Sequence, residues 1–274
     1  MITASIVLFH SQKVDITVII DCIEKSCIDT VYIIDNSSDD RFRLFEKKSG
    51  KIWYIYNKNL GYGASHNIAL HEAIDSGSEF HIVLNPDIRF TAEVISELAS
   101  YMREHEDTAY ILPKVLYPDG TTQYLCKLLP TPSDLIFRRF IPNIKIARKM
   151  NERYVLQSSG YDKIINPPCL SGCFMFLRIS TIKENNLFFD ERYFMYCEDF
   201  DFIRRLHKVA KTIFYPYVSI VHDHQKGSYK SKKMLIQHIK SAVKFFNKWG
   251  WIFDSERNRM NRKIINEIEL LNKK

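Results

Sequence analysis

Short apolar segments rich in β-branched residues alternate with longer amphipathic segments in the first part of the chain, and this alternation constrains the fold most. Between the strand-like segments, residues 15–25 place isoleucines at helical spacing, and Thr91 stands where the N-cap of a further helix is expected. Strands that alternate with helices predict a mainly parallel sheet covered on both faces. We therefore predict an α/β fold with a mainly parallel central sheet flanked by helices. Strand composition marks residues 2–9, 30–34, 51–56 and 80–84.

The rest of the chain is less regular but mixes the same two kinds of element. A basic, proline-punctuated region, residues 128–150, is expected to be helical in part. The chain is expected to end in two amphipathic helices. Strand composition marks residues 110–115, 170–177 and 212–221, and helical spacing marks residues 198–210, 232–249 and 254–271.

The composition is that of a soluble globular protein, with 46% hydrophobic and 26% charged residues among 274. The net charge of +7 suits nucleic acid, an anionic membrane surface or a phosphorylated substrate. Six cysteines include no CxxC pair, which argues against a structural zinc site. The first residues lack the pattern of a signal peptide, and no apolar run is long enough to span a membrane. We therefore expect a cytoplasmic protein with free thiols.

Polar clusters lie directly after three of the predicted strands. Asp35 and Asn36 follow the second strand, Asn59 opens a glycine-bearing loop after the third, and Asn85 and Asp87 follow the fourth. Ligands of such sheets bind at the carboxyl ends of the strands, so chain geometry alone gathers these clusters at one edge. This convergence is the strongest indication of a binding site that the residues give.

Each cluster, taken alone, also has an ordinary structural explanation. Asp87 suits Mg²⁺ or Mn²⁺, which need one or two carboxylates plus substrate phosphates, but an Asx-type turn is the commoner reason for such a tripeptide. Asp35 suits a hydrogen bond to a base or ribose, or a turn that caps the next helix. The loop of residues 59–63 suits phosphate, yet it lacks the lysine of a P-loop and the third glycine of a dinucleotide fingerprint.

Three carboxylates crowd into four residues at Glu198, Asp199 and Asp201. Such neighbours repel one another, and a carboxylate whose pKa they raise suits a general base. The alternative is a helix N-terminus, where acidic side chains favour the helix dipole, and both descriptions hold together. Arg204 and Arg205 follow one turn later and are placed to pair with Asp201.

Two histidines, His222 and His224, flank an aspartate after the last predicted strand. Imidazole is a common metal ligand, so either histidine is a candidate, although such a triplet is more often a polar loop. Lys226 and Lys230 follow at a distance suited to phosphate oxygens.

Taken together, these stretches resemble the motifs of family 2 glycosyltransferases, in particular the rhamnosyltransferase-like branch that builds bacterial surface polysaccharides. They occur in the family's order and span about residues 3 to 231. The resemblance implies a GT-A fold and an inverting, single-displacement transfer of a sugar from a nucleoside-diphosphate donor to a glycan hydroxyl. The matching stretches are SIVLFH, YIIDNSSDD, NKNLGYGASHNIAL, IVLNPDIRF, CLSGCFMFLR, FFDERYFMYCEDFDFIRRL and YPYVSIVHDHQKGSYKS.

The same resemblance implies roles for individual residues. Asp199 is the expected catalytic base with Glu198 as its neighbour, while Ser171 and Gly172 are expected to line the acceptor side. Asp87 corresponds to the last acid of the family's DxD metal motif. Because Asn85 stands in place of the first acid, Asp87 is the only carboxylate of that motif here. The expected ligands of a divalent cation, Mg²⁺ or Mn²⁺, are Asp87 and either His222 or His224. The expected donor-binding residues are Phe9, Asp35, Asn36, Asn59, Gly61, Asn67, Asn85, Lys226 and Lys230.

The resemblance further predicts how the chain is divided. Residues 1–230 form the glycosyltransferase domain, with a nucleotide-sugar-binding half at 1–105 and an acceptor and catalytic half at 106–230. Residues 231–274 form a basic, amphipathic helical tail. Rhamnose from a thymidine-diphosphate donor is the branch's frequent association, and a hexose or N-acetylhexosamine from uridine diphosphate is equally compatible with the residues.

The composition of the tail fits two different locations, the surface of a membrane and the surface of the main domain. Residues 231–253 combine lysines with Trp and Phe, which suits the interface of an anionic membrane. A helix that packs on the main domain and leaves its lysines in solvent explains the same pattern. Lipid-linked acceptors are usual in such pathways, so we expect a peripheral protein on the inner face of the cell membrane. The apolar face is predicted at Leu235, Ile239, Ala242, Phe246 and Trp249, and a second basic-aromatic cluster occupies residues 137–142.

Two other classes of protein compete with this interpretation. A nucleotidyltransferase should carry a glycine-rich basic loop directly after the first strand, but residues 9–13 contain no glycine. A nucleic-acid-binding protein would explain the charge and the aromatic residues. The sequence has no helix-turn-helix, zinc-finger or RNA-recognition motif, so we expect no nucleic-acid partner.

Overall fold

A computed structural model describes residues 1–135, 145–223 and 232–273, and all of its strands in this part of the chain join one sheet. The strand order across the sheet is β3-β2-β1-β4-β7-β6-β8-β5. The strands are β1 (Ile2–Leu8), β2 (Thr30–Asp35), β3 (Ile52–Tyr56), β4 (Phe80–Leu84), β5 (Ile88–Arg89), β6 (Thr108–Leu116), β7 (Phe174–Arg178) and β8 (Lys211–His222).

The pairing confirms the predicted, mainly parallel sheet. β1 lies parallel to β2 and β4, β2 lies parallel to β3, and β6 lies parallel to β8. β7 runs antiparallel to β4 and β6, and the short β5 runs antiparallel to β8. Parallel neighbours need crossover connections, which place helices over the faces of the sheet. All seven residues of β1 are accordingly buried, as in a strand covered on both sides.

The helices follow most of the predicted periodic segments. Thr91 is the N-cap residue of the third helix as predicted, although its side chain makes no capping hydrogen bond. Short 3-10 helices cover Arg41–Lys48 and Gln157–Ser159. The α-helices are α1 (Lys13–Glu24), α2 (Tyr62–Asp75), α3 (Ala92–Glu104), α4 (Lys145–Tyr154), α5 (Ile179–Glu184), α6 (Glu198–Leu206), α7 (Lys232–Trp249) and α8 (Ser255–Leu271).

Several boundaries differ from the predicted ones. The strand predicted at residues 170–177 begins only at Phe174, because Gly172 and Cys173 form a turn directly before it. The helix predicted at residues 198–210 ends at Leu206. α5 and β5 were not predicted, since each is too short to show a period. Of the basic region, residues 136–144 lie outside the described residues.

The two C-terminal helices pack on the domain and extend its core. Ala242, Phe245 and Phe246 of α7 are buried against Phe200 of α6 and other apolar side chains. Ile264 of α8 belongs to the main core. One face of α7 is therefore a packing face, as in the second of the two predicted alternatives. No helix of the described residues is long and apolar enough to cross a membrane.

Candidate active site

The strand register brings the predicted polar clusters to one edge of the sheet. Leu8 is the register partner of Asp35, and Leu84 is the partner of Ile6. Asp35 is in turn paired with Tyr56 of β3. The residues that follow β1, β2, β3 and β4 consequently leave the sheet side by side. The register thus brings together the segments that carry Phe9, Asp35, Asn59 and Asn85 among the predicted donor-binding residues.

Asp35 is completely buried at the end of β2. Its two oxygens accept hydrogen bonds from Tyr54 Oη at 2.7 Å and from Ser37 N at 2.9 Å. Next to it, Asn36 Nδ2 donates to Ser65 Oγ at 2.7 Å, while Asn36 Oδ1 is buried and has no partner among the described residues. An acceptor held in this way favours a ligand with a hydrogen-bond donor. Phe9, at the end of β1, keeps half of its surface exposed at 51%.

The loop into α2 is shaped by Gly61. Asn59 Oδ1 accepts from Gly61 N at 3.0 Å, and Gly61 has a φ of +93°. A Cβ at this position would lie 2.1 Å from the carbonyl oxygen of Phe194. That oxygen accepts from Tyr62 N at 3.0 Å, so the loop is held against the segment that leads to α6. Only glycine fits this close approach and this backbone conformation.

Asn67 is buried on α2 and braces the same segment from the other side. Its Oδ1 accepts from Phe189 N at 2.8 Å, and its Nδ2 donates to Phe189 O at 2.9 Å. Nδ2 also lies 3.2 Å from Glu191 Oε1. The side chain predicted to bind the donor is thus engaged with protein groups, and its place in the structure is that of a support.

Tyr62 connects the donor side with the acceptor side. Its hydroxyl lies 2.9 Å from Asn85 Oδ1 and 2.8 Å from the carbonyl oxygen of Gly172. Asn85 N in turn donates to Cys173 O at 2.9 Å. The predicted acceptor residues, Ser171 and Gly172, form the turn directly before β7. The sequence motif contained Tyr62 between two glycines, yet nothing in the sequence showed that its hydroxyl would join these strand exits.

Asp199 stands on the first turn of α6, directly across from this turn. Its Oδ2 accepts from Gly172 N at 3.3 Å, and its Oδ1 accepts from Phe200 N at 2.9 Å. A Cβ at Gly172 would lie 3.0 Å from Asp199 Cβ, so the glycine permits the approach. Asn85, Tyr62, Gly172 and Asp199 therefore form one connected path across the site.

Burial and mutual repulsion set the protonation of the two neighbouring carboxyls. Burial raises the pKa of Glu198 well above its ordinary value, and the charge of Asp199 raises it further. Glu198 Oε2 has no hydrogen-bond partner among the described residues, as suits a protonated side chain. Burial also raises the pKa of Asp199, but the positive charge of Lys127 and the hydrogen bonds from Phe200 N and Gly172 N oppose the rise. The rise in pKa is therefore opposed more strongly at Asp199 than at Glu198, so the surroundings favour the charged form at Asp199 and the neutral form at Glu198.

Lys127 was not predicted as a site residue. Its Nζ lies 5.3 Å from the centre of the Phe200 ring, beside Asp199, and its backbone is held by the carbonyl oxygen of Cys169. A lone lysine in a loop carries no motif, so only its placement in the fold identifies it.

Asp87 and His222 meet where β4 and β8 end. His222 Nε2 lies 3.4 Å from Asp87 Oδ1, and His222 Nδ1 lies 3.1 Å from Gln123 Oε1. Burial disfavours the charged imidazole, but Cys173 and the Asp87 carboxylate favour it, and together they raise the pKa of His222 to about 10. The structure brings these two candidate ligands together. His224, Lys226 and Lys230 lie outside the described residues.

No group of three or more His, Cys, Asp or Glu side chains in residues 1–135, 145–223 and 232–273 is arranged to hold a metal ion. Asp87 and His222 nevertheless fit a divalent cation that arrives with its substrate. Mg²⁺ commonly takes one or two protein ligands, and substrate phosphates and water supply the rest. The partly exposed carboxylate of Asp87 and the imidazole of His222 are the protein groups that would hold it, and His222 would have to give up its proton to the solvent when the cation binds.

Ion pairs and hydrogen bonds, several of them with the C-terminal helices, hold α6 in place. Arg205 Nε donates to Asp201 Oδ2 at 2.9 Å, which confirms one of the two predicted pairs. The other was wrong, because Arg204 instead makes two hydrogen bonds of 2.7 Å with Asp254 at the start of α8. Trp249 Nε1 donates to Asp201 Oδ1 at 2.8 Å. The helix that carries Asp199 is thus anchored by residues that lie far away in the sequence.

Comparison with known proteins agrees with this arrangement. The chain is 27% identical over 203 residues to rhamnosyltransferase WbbL of Escherichia coli (strain K12), a match that covers 70% of this chain and 72% of that protein. No protein-family model matches the chain.

Solved structures show the same fold. The match to the crystal structure of S. aureus TarS 1-349 covers 97% of this chain and 70% of the TarS chain. Its TM-score is 0.58, at 17% sequence identity. A second crystal structure of TarS 1-349, in complex with UDP-GlcNAc, also has a TM-score of 0.58, at 16% identity, and covers 97% of this chain and 71% of that one. The predicted GT-A fold and the predicted resemblance to family 2 glycosyltransferases are confirmed.

Proposed function

We propose that this glycosyltransferase is an inverting enzyme that moves a hexose or deoxyhexose from a nucleoside diphosphate to a glycan hydroxyl. One observation carries the proposal, namely the connected path from Asn85 through Tyr62 and Gly172 to Asp199. It sets a charged carboxylate opposite the strand ends where a nucleotide sugar would bind. Rhamnose is the favoured sugar, because the curated relative is named a rhamnosyltransferase.

In the proposed reaction, Asp199 accepts the proton of the acceptor hydroxyl. The acceptor oxygen then forms a bond to the anomeric carbon, and the bond from that carbon to the diphosphate oxygen breaks on the opposite face. Glu198 is protonated and leaves the negative charge on Asp199. A divalent cation held by Asp87 and His222 would neutralise the leaving diphosphate. Backbone and side-chain groups of residues 35–37 and 59–61 would hold the nucleotide.

The acceptor is proposed to be a lipid-linked glycan of surface-polysaccharide synthesis. This proposal would place the reaction at the inner face of the cell membrane. The complex with UDP-GlcNAc was observed for TarS and not for this chain. Because the two proteins share a fold, it supports the proposal that the donor here is a nucleotide sugar.

A donor screen tests the proposed function. The purified chain is incubated with a panel of dTDP- and UDP-sugars, and the released nucleoside diphosphate is measured with Mg²⁺, with Mn²⁺ and with EDTA. We expect slow hydrolysis of one donor class that stops in EDTA and returns with either metal. Indifference to EDTA would remove Asp87 and His222 from their metal-binding role. Absence of hydrolysis and of binding across the whole panel would contradict the donor assignment.

A further inference from the structure

The outward face of α7 carries a stripe of exposed apolar side chains. Ile236, Ile239 and Val243 are 53%, 46% and 39% exposed. Their spacing of three and four residues places them one above another on the helix. Ile239 was predicted to share one apolar face with Ala242 and Phe246, and the structure corrects this, because Ala242, Phe245 and Phe246 are buried while Ile239 is exposed.

The turn after α7 continues this stripe. Gly250 reverses the chain with a φ of +101°, and the next two apolar side chains beyond Trp251 are largely in solvent, with Ile252 74% and Phe253 94% exposed. Trp251 Nε1 donates to Asn247 Oδ1 at 2.8 Å, and Asn247 lies one turn beyond Val243 on the same face. Trp251 also packs its ring at 5.2 Å from that of Phe246, which fixes the turn against the end of α7. We call these exposed apolar side chains of α7 and of the turn after it the apolar ridge, formed by Ile236, Ile239, Val243, Trp251, Ile252 and Phe253.

Positive charge borders the apolar ridge. Lys233, Lys240 and Lys244 are exposed and follow one another along the flank of α7. Residues 224–253 contain seven lysines and no aspartate or glutamate. A single exposed apolar side chain needs no explanation, but six of them on one helix and the turn that follows it, beside exposed lysines, mark an interaction surface.

The opposite face of α7 fixes the orientation of the ridge. Ser241 Oγ donates to the carbonyl oxygen of Met195 at 2.7 Å, and Phe245 and Phe246 are buried. Lys248 lies 2.6 Å from Asp201. The helix therefore does not have to rotate or detach to present the ridge.

We propose that the apolar ridge docks the protein on an anionic lipid bilayer, with the ridge inserted at the interface and the flanking lysines on the headgroups. Lysine attracts anionic headgroups, while Phe and Trp favour the boundary between headgroups and acyl chains. Nucleic acid would satisfy the lysines but offers no apolar phase for Ile252 and Phe253. The inference rests on this surface alone and stands whether or not the proposed reaction is correct.

Sedimentation with vesicles tests the docking surface. The full chain is mixed with phosphatidylcholine vesicles that contain either no phosphatidylglycerol or an equal share of it, at low and at high salt. We expect binding to the anionic vesicles that weakens at high salt. The double variant Ile252→Ser with Phe253→Ser should lower the affinity by about tenfold or more, since both side chains leave water on docking. Lys233→Glu with Lys240→Glu should lower it as well and reduce the salt dependence.

The control is Trp53→Ser, which removes an exposed aromatic side chain from β3, away from the ridge. It should leave vesicle binding unchanged. Because Ile252 and Phe253 are solvent-exposed, their replacement should not alter the thermal unfolding of the protein. Equal binding by the ridge variant and the wild-type protein would overturn the proposal. So would self-association of the wild-type protein that the same variant abolishes, with no binding to anionic vesicles at low salt.

Discussion

The backbone N–H of Gly172 donates to Asp199 Oδ2 over 3.3 Å and ties the turn before β7 to the first turn of α6. A Cβ at residue 172 would lie only 3.0 Å from Asp199 Cβ, which is a tight contact, so the absence of a side chain at Gly172 permits the approach. The carbonyl oxygen of the same glycine is bound by Tyr62, which also contacts Asn85. The position of the candidate base is therefore set by the donor side of the site as well as by its own helix.

Gly61 gives a prediction about the donor loop. Gly61→Ala would place its Cβ 2.1 Å from the Phe194 carbonyl oxygen and strain a backbone with φ of +93°. Gly77 also has a positive φ, +68°, but a Cβ there would meet nothing within 4 Å beyond its chain neighbours, so Gly77→Ala isolates the backbone strain. We expect Gly61→Ala to lower the free energy of unfolding by about 1–3 kcal/mol more than Gly77→Ala does. Urea denaturation of both variants checks this, and equal losses would contradict it.

Lys127 gives a prediction about pH dependence. Its positive charge opposes the burial that raises the pKa of Asp199. The base must be ionised to act, so activity rises as pH increases through that pKa. Lys127→Met should raise the pKa further and move the acidic limb of kcat/KM to higher pH by about half a unit to one unit. Lys127→Arg keeps the charge and should leave the limb near its original position. An unmoved limb in Lys127→Met would show that Lys127 has no electrostatic effect on the base.

Asp254 gives a prediction about stability. It pairs with the buried Arg204, and although burial alone would raise the pKa of this carboxyl, the neighbouring arginines hold the pKa below its usual value. The pair therefore stabilises the fold above the carboxyl's unfolded pKa, and this contribution is lost as pH falls through the lowered pKa. Asp254→Asn keeps a capping side chain but leaves Arg204 to pair with Glu256 instead. We expect a loss of about 3 kcal/mol at neutral pH.

Equilibrium unfolding in urea measures this loss. The exposed pair of Lys25 and Asp21 serves as the control, because Asp21→Asn should change the free energy of unfolding by less than about 0.5 kcal/mol. A loss in Asp254→Asn as small as that of the control would show that the buried pair does not hold α6 to α8.

Most of the first half of the fold was predictable, because its longer strands and helices have clear local patterns, whereas the short β5 has none. The strands β1 to β4 are short apolar runs, and their polar exits meet because parallel strands end at one edge. The boundary of β7 was not predictable from the pattern, because residues 170–173 contain no proline and no charged residue that would mark where the strand begins. Whether such residues enter the sheet or turn before it depends on the hydrogen bonds of Tyr110 and Tyr62 with that turn.

Only those residues of the candidate site that belong to a sequence motif could be predicted. Asp87 and Asp199 belong to such motifs, and their surroundings agree with a site. Lys127 and Gln123 lie in irregular loops, and they reach the site through contacts between distant segments. The partner of Arg204 was predicted one turn away, but the structure places it fifty residues later, in Asp254. Long-range ion pairs of this kind leave no periodic pattern in a sequence.

The central claim is that Asp199 is the catalytic base, and Asp199→Asn tests it most directly. The amide keeps the size of the side chain and an oxygen that accepts from Gly172 N, but its NH2 group then faces Phe200 N, so thermal unfolding is measured beside activity to confirm the fold. The donor should bind within about twofold of the wild-type affinity, because Asp199 acts on the acceptor hydroxyl. Transfer should fall by about 10²-fold to 10⁴-fold. Glu198→Gln, which imitates the protonated neighbour, should retain far more activity. Transfer by Asp199→Asn at a rate close to that of the wild-type protein would contradict the account.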